Sequence, residues 1–309
     1  MKKIFVFAVL FVTISCSNGV EKTIPSDEVL NFYKGFSSYT EPGEQAYLFN
    51  NLPESLKDLC SLIKRQFIHP IELGDLRNSL PEDRHYEDPK FPTVSDMLEG
   101  LLRYDERGLT FDRKREDRLI VACYHHAMLL ASMLRNRGIP VRIRTGFARY
   151  FEKEAGVRFG HAICEVWDEK KERWILVDPD RQFVDFSRKL FEFSDSAWKR
   201  LRAGKINPEK YVAAQSKGDR AILHILLLDL SCVLLEEKPY WDEPAILQEK
   251  ISNINAVEDP KLGIIDQIAE LLSDPDGNLE ELSYLHQEHN FLRGTGMKFD
   301  EWFNERQNE

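Results

Sequence analysis

The stretch that decides the fold is LIVACYHHAMLLASMLRNRGIPVR, residues 119–142. Small and apolar residues stand four, seven and eleven positions after Cys123, so they share one face of a helix that must pack inward. The pattern predicts a buried helix over Leu119–Arg137 with Cys123 near its start. The positive end of the helix dipole lowers the pKa of a thiol there and favours the nucleophilic thiolate.

The chain after this helix changes from helical to strand-like patterns. Gly138 can take the left-handed conformation that ends a helix, and Pro140 prevents its continuation. Segments rich in β-branched and aromatic residues then predict strands over Val141–Ala148, Ala162–Trp167 and Trp174–Val177. A helix leading into an antiparallel sheet indicates an α+β fold.

The last two strands form a hairpin whose open end carries two reactive side chains. His161 stands at the start of one strand, and Asp178 directly follows its partner. Strand pairing brings them within hydrogen-bonding reach, and packing against the start of the helix adds Cys123. A nucleophile, a base and a group that orients the base are what covalent acyl transfer requires. Each residue alone has an ordinary structural explanation, but the combination of the three favours a catalytic role.

Several short motifs together resemble the transglutaminase-like superfamily, whose papain-like core uses Cys, His and Asp in this chain order. The resemblance covers roughly Leu119 to Asp180. It is carried by Cys123 with Ala127, the Arg137–Arg142 turn, Gly146–Ala148, Gly160–Ala162, Glu165–Trp167 and Trp174–Pro179. The chain departs from many relatives at Val121 and Ile163, where they have glycine and an aromatic residue.

The resemblance implies the fold class and the site residues. The class is α+β, a papain-like or transglutaminase-like core in which the helix bearing Cys123 packs on an antiparallel sheet. The implied catalytic residues are Cys123, His161 and Asp178. The family's oxyanion hole combines the backbone N–H of the cysteine with an upstream side chain, for which Gln66 is the candidate.

Composition excludes some classes of ligand. The net charge of -10 and the absence of a basic stripe exclude nucleic acid as a partner. No cofactor is implied, since no acidic loop with ligand spacing occurs. A metal site built from Cys123, His126, His161 and Asp178 is disfavoured, because zinc-site spacings are missing. The other cysteines of the predicted mature domain are expected to be small buried hydrophobes: Cys60, Cys164 and Cys232.

The N-terminus predicts export. Lys2 and Lys3 precede an apolar run, Ile4–Ile14, that is too short to span a bilayer and is followed by Cys16. This resembles a bacterial lipoprotein signal over residues 1–16, with lipid on Cys16 and a polar tether over residues 17–25. We therefore expect a protein anchored by lipid to a bacterial membrane, on the periplasmic or cell-surface side. An ordinary cleaved signal peptide is the alternative.

Two regions follow the tether, a transglutaminase-like domain at residues 26–188 and a helical region at residues 189–309. Strand patterns are expected to stop near Arg188, and Asp219–Glu237 predicts a core helix in which Asp229 needs a buried partner.

The predicted function is acyl transfer at a peptide or protein amide, with hydrolysis the favoured outcome over crosslinking. The alternative is a catalytically silent lipoprotein that acts as a binding or assembly module. A blocked site or a disulfide between Cys123 and Cys164 would favour that alternative.

Overall fold

A buried helix packed on a curled antiparallel sheet forms the centre of the computed structural model, which describes residues 24–152, 156–249, 254 and 259–307. The described helices are α1 Asp27–Phe32, α2 Leu56–Gln66, α3 Val94–Tyr104, α4 Cys123–Arg135, α5 Ser194–Arg202, α6 Asp219–Val233, α7 Ala245–Gln248, α8 Pro260–Leu271, α9 Leu279–Glu288 and α10 Phe299–Gln307. The described strands are β1 Phe67–Ile68, β2 Leu119–Ile120, β3 Val141–Ala148, β4 Arg158–Asp168, β5 Arg173–Asp178, β6 Phe183–Val184, β7 Phe191–Phe193, β8 Tyr211–Ala213 and β9 Ser216–Lys217.

The main sheet has the strand order β6-β5-β4-β3-β7, and each neighbouring pair is antiparallel. Strand β8 pairs in parallel with the first residues of β4 and turns back into β9. The predicted hairpin is present, with Cys164 of β4 opposite Val177 of β5. The α+β class predicted from the sequence is confirmed.

The helix that carries the cysteine begins later than predicted. Leu119 and Ile120 form β2, which pairs in parallel with β1, so α4 begins at Cys123 rather than at Leu119. Both residues are fully buried, and apolar burial alone does not distinguish a short strand from a first helical turn. Cys123 therefore stands at the first helical position, where the backbone N–H groups have no acceptor within the helix.

The C-terminal region is mainly helical, as expected, but the prediction that strands end near Arg188 is wrong. Three strands lie beyond it: β7 joins the main sheet beside β3, and β8 and β9 form a small hairpin against β4. Each has two or three residues, which is too short to give an alternating pattern in the sequence.

Helix α6 is a core helix, as predicted, and its buried carboxylate has a partner on the sheet. Two nitrogens of Arg144 lie 3.0 and 2.9 Å from the carboxylate oxygens of Asp229. The backbone N–H of Thr145 and the hydroxyl of Ser194 also donate to this carboxylate, at 2.8 and 2.6 Å. The two charges are buried and compensated, so the pair joins the C-terminal region to β3.

The predicted signal sequence and lipid attachment site, residues 1–16 with Cys16, lie outside the described residues, as does most of the predicted tether. In the part of the chain that the structure describes, no helix combines the length and apolar character needed to cross a membrane. Cys60, Cys164 and Cys232 are buried free thiols, and their burial agrees with the expectation from the sequence.

Candidate active site

The start of α4 is held in place by two buried carboxylates from an earlier loop. Glu87 accepts a hydrogen bond from the backbone N–H of Ile120 at 2.9 Å. Asp88 accepts one from the N–H of Ala122, also at 2.9 Å. No side chain of its own segment caps this helix. The loop therefore fixes the direction in which the chain enters α4 and thus the position of Cys123.

His161 and Asp178 meet across the β4–β5 hairpin. His161 Nε2 lies 2.8 Å from Asp178 Oδ2, and both side chains are buried. The same carboxylate accepts hydrogen bonds from the Tyr150 hydroxyl at 2.5 Å and from the backbone N–H of Arg181 at 2.9 Å. This arrangement fixes the imidazole plane and leaves Nδ1 of His161 as the nitrogen available to Cys123.

The electrostatics of the cluster favour a thiolate and an imidazolium. Burial raises the pKa of the Cys123 thiol, but attraction and hydrogen bonding to His161, with a further contribution from His69, lower it to about 6. Burial works against a charge on His161 as well, but Asp178 and Cys123 together raise its pKa well above the usual value. The pKa of Asp178 is lowered despite burial, chiefly by His161.

His69 is a functional candidate that sequence reasoning missed. Its hydrogen bond and its charge interaction with Cys123 outweigh burial and raise its pKa. The backbone N–H of Ile71 donates to its Nδ1 at 3.4 Å, so in the neutral ring the proton is on Nε2. His69 precedes a short 3-10 turn in a stretch without periodicity. Nothing in its sequence context linked it to a helix that begins more than fifty residues later.

Gln66, the oxyanion candidate from the sequence, lies in a structural network. Its amide nitrogen donates to the carbonyl oxygens of Leu62 and Thr110 at 2.8 and 2.7 Å. Its carbonyl oxygen accepts from Arg113 Nε at 2.9 Å. These hydrogen bonds hold the loop before β2 and use the amide group on which the predicted role depends. The assignment of Gln66 is therefore corrected, and His69 is the upstream side chain at the thiol.

His125 and His126 stay apart from the reactive cluster. Burial lowers the pKa of His126 to about 4, and its Nδ1 lies 3.1 Å from the carbonyl oxygen of Ala122. His125 Nδ1 lies 3.5 Å from Asp88 Oδ2. Within the described ranges, no group of three or more Cys, His, Asp or Glu side chains is arranged to hold a metal ion.

The thiol opens onto a cavity of about 430 Å³. Cys123 is a free, partly exposed cysteine, and Cys164 is a separate free thiol whose sulfur lies 3.4 Å from the carbonyl oxygen of Ala127. The cavity is lined in part by Ile71, Phe159, Ala213, Ile225, Leu228 and Trp302. A small molecule or an extended chain therefore has a route to Cys123.

A comparison with protein-family models gives a match. Residues 103–179 match the family model described as the transglutaminase-like superfamily, so this segment is similar to domains of that superfamily. The matched range includes Cys123, His161 and Asp178. Comparisons with curated proteins and with solved structures gave no match.

Proposed function

We propose that this protein is a thiol enzyme that transfers the acyl group of an amide to water, with Cys123 as the nucleophile. The observation that carries the proposal is the contact of Cys123 with the His161–Asp178 pair, which lowers the thiol pKa to about 6. At neutral pH such a thiol is mainly thiolate, and the neighbouring imidazolium can supply a proton.

The first half of the reaction forms a thioester. The Cys123 thiolate attacks the carbonyl carbon, and the proton on His161 passes to the departing amine as the carbon–nitrogen bond breaks. In the second half, His161 takes a proton from water, the resulting hydroxide attacks the thioester carbon, and the thiolate leaves. Asp178 keeps the imidazole in the required orientation throughout, and Tyr150 keeps Asp178 in place.

The developing oxyanion would face two donors. One is the backbone N–H of Cys123, which has no acceptor within α4 because this residue is the first of the helix. The other is the Nε2–H of His69. A preorganised pair of donors is worth several kcal/mol of transition-state stabilisation, on the order of 2.7–4 for one donor.

The alternative of a silent binding module draws no support from the site. A blocked site or a disulfide at Cys123 would favour it, whereas Cys123 is a free thiol at the edge of an open cavity. Export and lipid attachment at Cys16 remain part of the proposal. They rest on the pattern of residues 1–16, and metabolic labelling with palmitate, lost in Cys16→Ser, tests them.

Alkylation of Cys123 by iodoacetamide between about pH 4 and 9 tests the thiolate. We expect half-maximal rate near pH 6 in the wild type. In His161→Ala we expect a midpoint at or above the ordinary value of about 8.5, because burial still raises the thiol pKa, and this slows alkylation at pH 6 by about 100-fold or more. Peptide mass mapping identifies the alkylated cysteine. A wild-type midpoint near the ordinary value would reject the proposal.

Activity itself is tested by incubating the protein with mixed peptides and following the products by mass spectrometry. Wild-type protein should release new carboxyl termini and carry a transient acyl adduct on Cys123. Cys123→Ala should do neither, and His69→Gln should retain more activity than His69→Ala because an amide still donates a hydrogen bond.

A further inference from the structure

One side of the cavity beside Cys123, its wall, comes from the C-terminal region. The β8–β9 hairpin contributes Ala213, helix α6 contributes Ile225 and Leu228, and helix α10 contributes Trp302. These side chains lie near the thiol although they are distant from it in sequence. The polarity of the wall therefore indicates which substrates fit the site, which the reactive side chains alone do not.

The wall packs against the strand that carries His161 at Gly160, where the absence of a side chain allows close approach. A Cβ atom at Gly160 would lie 2.5 Å from Ala213 Cβ and 2.9 Å from Ile225 Cδ1. The hairpin and α6 therefore pack directly onto the backbone that leads to His161. The wall is consequently a fixed part of the site, with its position set by backbone contact.

The described residues that line the cavity include no Asp, Glu, Lys or Arg. Two of its tyrosine hydroxyls, at Tyr124 and Tyr240, are used by Cys232 and Asp88, and the Thr145 hydroxyl donates to the carbonyl oxygen of Ile225. Tyr86 and Gln215 are further uncharged polar side chains of the lining. The histidines of the lining, His69 and His161, already interact with Cys123 and Asp178. A charged substrate group would thus lose water without gaining a counterion of its own, which is costly. An apolar group gains free energy by leaving water and gives up no hydrogen bond.

We propose that the substrate is an amide with a bulky, uncharged apolar group beside its carbonyl, and that this group occupies the cavity formed by the β8–β9 hairpin, α6 and α10. This inference rests on the proposed function of Cys123. A volume of about 430 Å³ lies within the range of roughly 300–1,000 Å³ typical of pockets that enclose small organic groups.

A series of alkylating agents on the full-length chain tests the inference. Iodoacetamide, its N-phenethyl derivative and its N-carboxypropyl derivative share one reaction, in which the thiolate sulfur forms a bond to carbon and iodide leaves. Rates at Cys123 are divided by the rates with free cysteine, which removes differences in intrinsic reactivity. The other described cysteines are buried, and burial raises the pKa of Cys60 to about 12, so among the described cysteines labelling should be selective. Peptide mass mapping separates Cys123 from Cys16.

We expect the phenethyl compound to react about 10- to 100-fold faster than iodoacetamide, because its ring leaves water for the cavity. The carboxypropyl compound should react no faster than iodoacetamide. Equal rates across the series, or a preference for the carboxylate, would overturn the inference while leaving the proposed function intact. Slow reaction of all three with an ordinary thiol midpoint would instead reject the proposed function.

A pair of variants locates the effect. Val212→Phe places a ring in the cavity wall at a strand position that accepts aromatic residues, and we expect it to lower the phenethyl-to-iodoacetamide ratio about 10-fold or more. Lys210→Phe adds the same ring at an exposed position just before β8, outside the cavity lining, and should retain the ratio. The wild-type series decides the inference even where a variant does not fold.

Discussion

Residues 119–180 and residues 189–309 contribute to the same site in different ways. The first region supplies Cys123, His161 and Asp178 within a helix and the hairpin that follows. The second supplies apolar side chains on one side of the cavity, and it does so from a hairpin and two helices that are far apart in sequence. Reactive side chains can thus lie within one short segment of sequence, whereas the cavity lining that determines substrate selectivity depends on contacts between distant segments.

The contact between the two regions differs in kind from the packing inside each region. Each has its own cluster of buried apolar side chains, one around α4 and one around α6. Between them lies the buried ion pair of Arg144 on β3 and Asp229 on α6. The comparison therefore predicts that damage to this contact affects the fold, whereas damage to the wall affects selectivity.

The largest expected effect is that of Arg144→Met, which leaves the Asp229 carboxylate buried without its counterion. Glu165, which Arg144 also contacts, keeps Arg142 and Arg188. We expect the free energy of unfolding to fall by about 3–5 kcal/mol, measured by denaturant unfolding. The double variant Arg144→Met/Asp229→Leu removes both charges and should recover much of the loss. A loss below about 1 kcal/mol would mean that the two regions are not coupled through this pair.

Gly160→Ala should disturb the wall without touching a reactive side chain. The added methyl group would overlap with Ala213 and Ile225, so we expect a loss of about 1–3 kcal/mol in stability and a lower preference for the phenethyl compound. Gly263→Ala is the matched control, since no atom lies within 4 Å of the position its Cβ would take. That change should be neutral or stabilising, because alanine favours the helix.

Tyr150→Phe tests whether the reactivity of Cys123 depends on a residue other than His161 and Asp178. Its hydroxyl donates to Asp178, and losing this bond should raise the pKa of the carboxyl and loosen the orientation of His161. We expect alkylation of Cys123 at about pH 6 to slow by about 3- to 10-fold, as loss of one hydrogen bond to a charged group implies. Tyr284→Phe, at an exposed position, should leave the rate unchanged.

The sequence predicted those features whose partners lie close along the chain. The α4 helix, the β4–β5 hairpin and the His161–Asp178 contact follow from periodicity and strand pairing over short separations. His69 and Tyr150 could not be found in this way. His69 directly precedes one 3-10 turn and Tyr150 lies within another, and such short turns carry no periodic signal. The partner of Asp229 was undetermined for a related reason: burial demands a counterion but does not specify which arginine supplies it.

The smallest expected effect concerns the turn at the tip of the wall. Ala214 and Gln215 join β8 to β9, and both have positive φ angles, 46° and 59°. A left-handed conformation costs a residue with a side chain about 1–2 kcal/mol relative to the right-handed one, and glycine avoids most of this cost. Ala214→Gly should therefore raise the free energy of unfolding by about 0.5–1 kcal/mol, part of the gain being offset by the freer unfolded chain.

Ala203→Gly is the matched control for this turn, since Ala203 has a φ of -82° and gains nothing from glycine. It should lose about 0.5–1 kcal/mol, the usual cost of added backbone freedom. The informative measurement is the phenethyl-to-iodoacetamide ratio of Ala214→Gly. A more stable protein with a lower ratio would mean that the strained turn holds the wall in shape for its ligand. A more stable protein with an unchanged ratio would assign the shape of the wall to the packing of Gly160 and α6 alone.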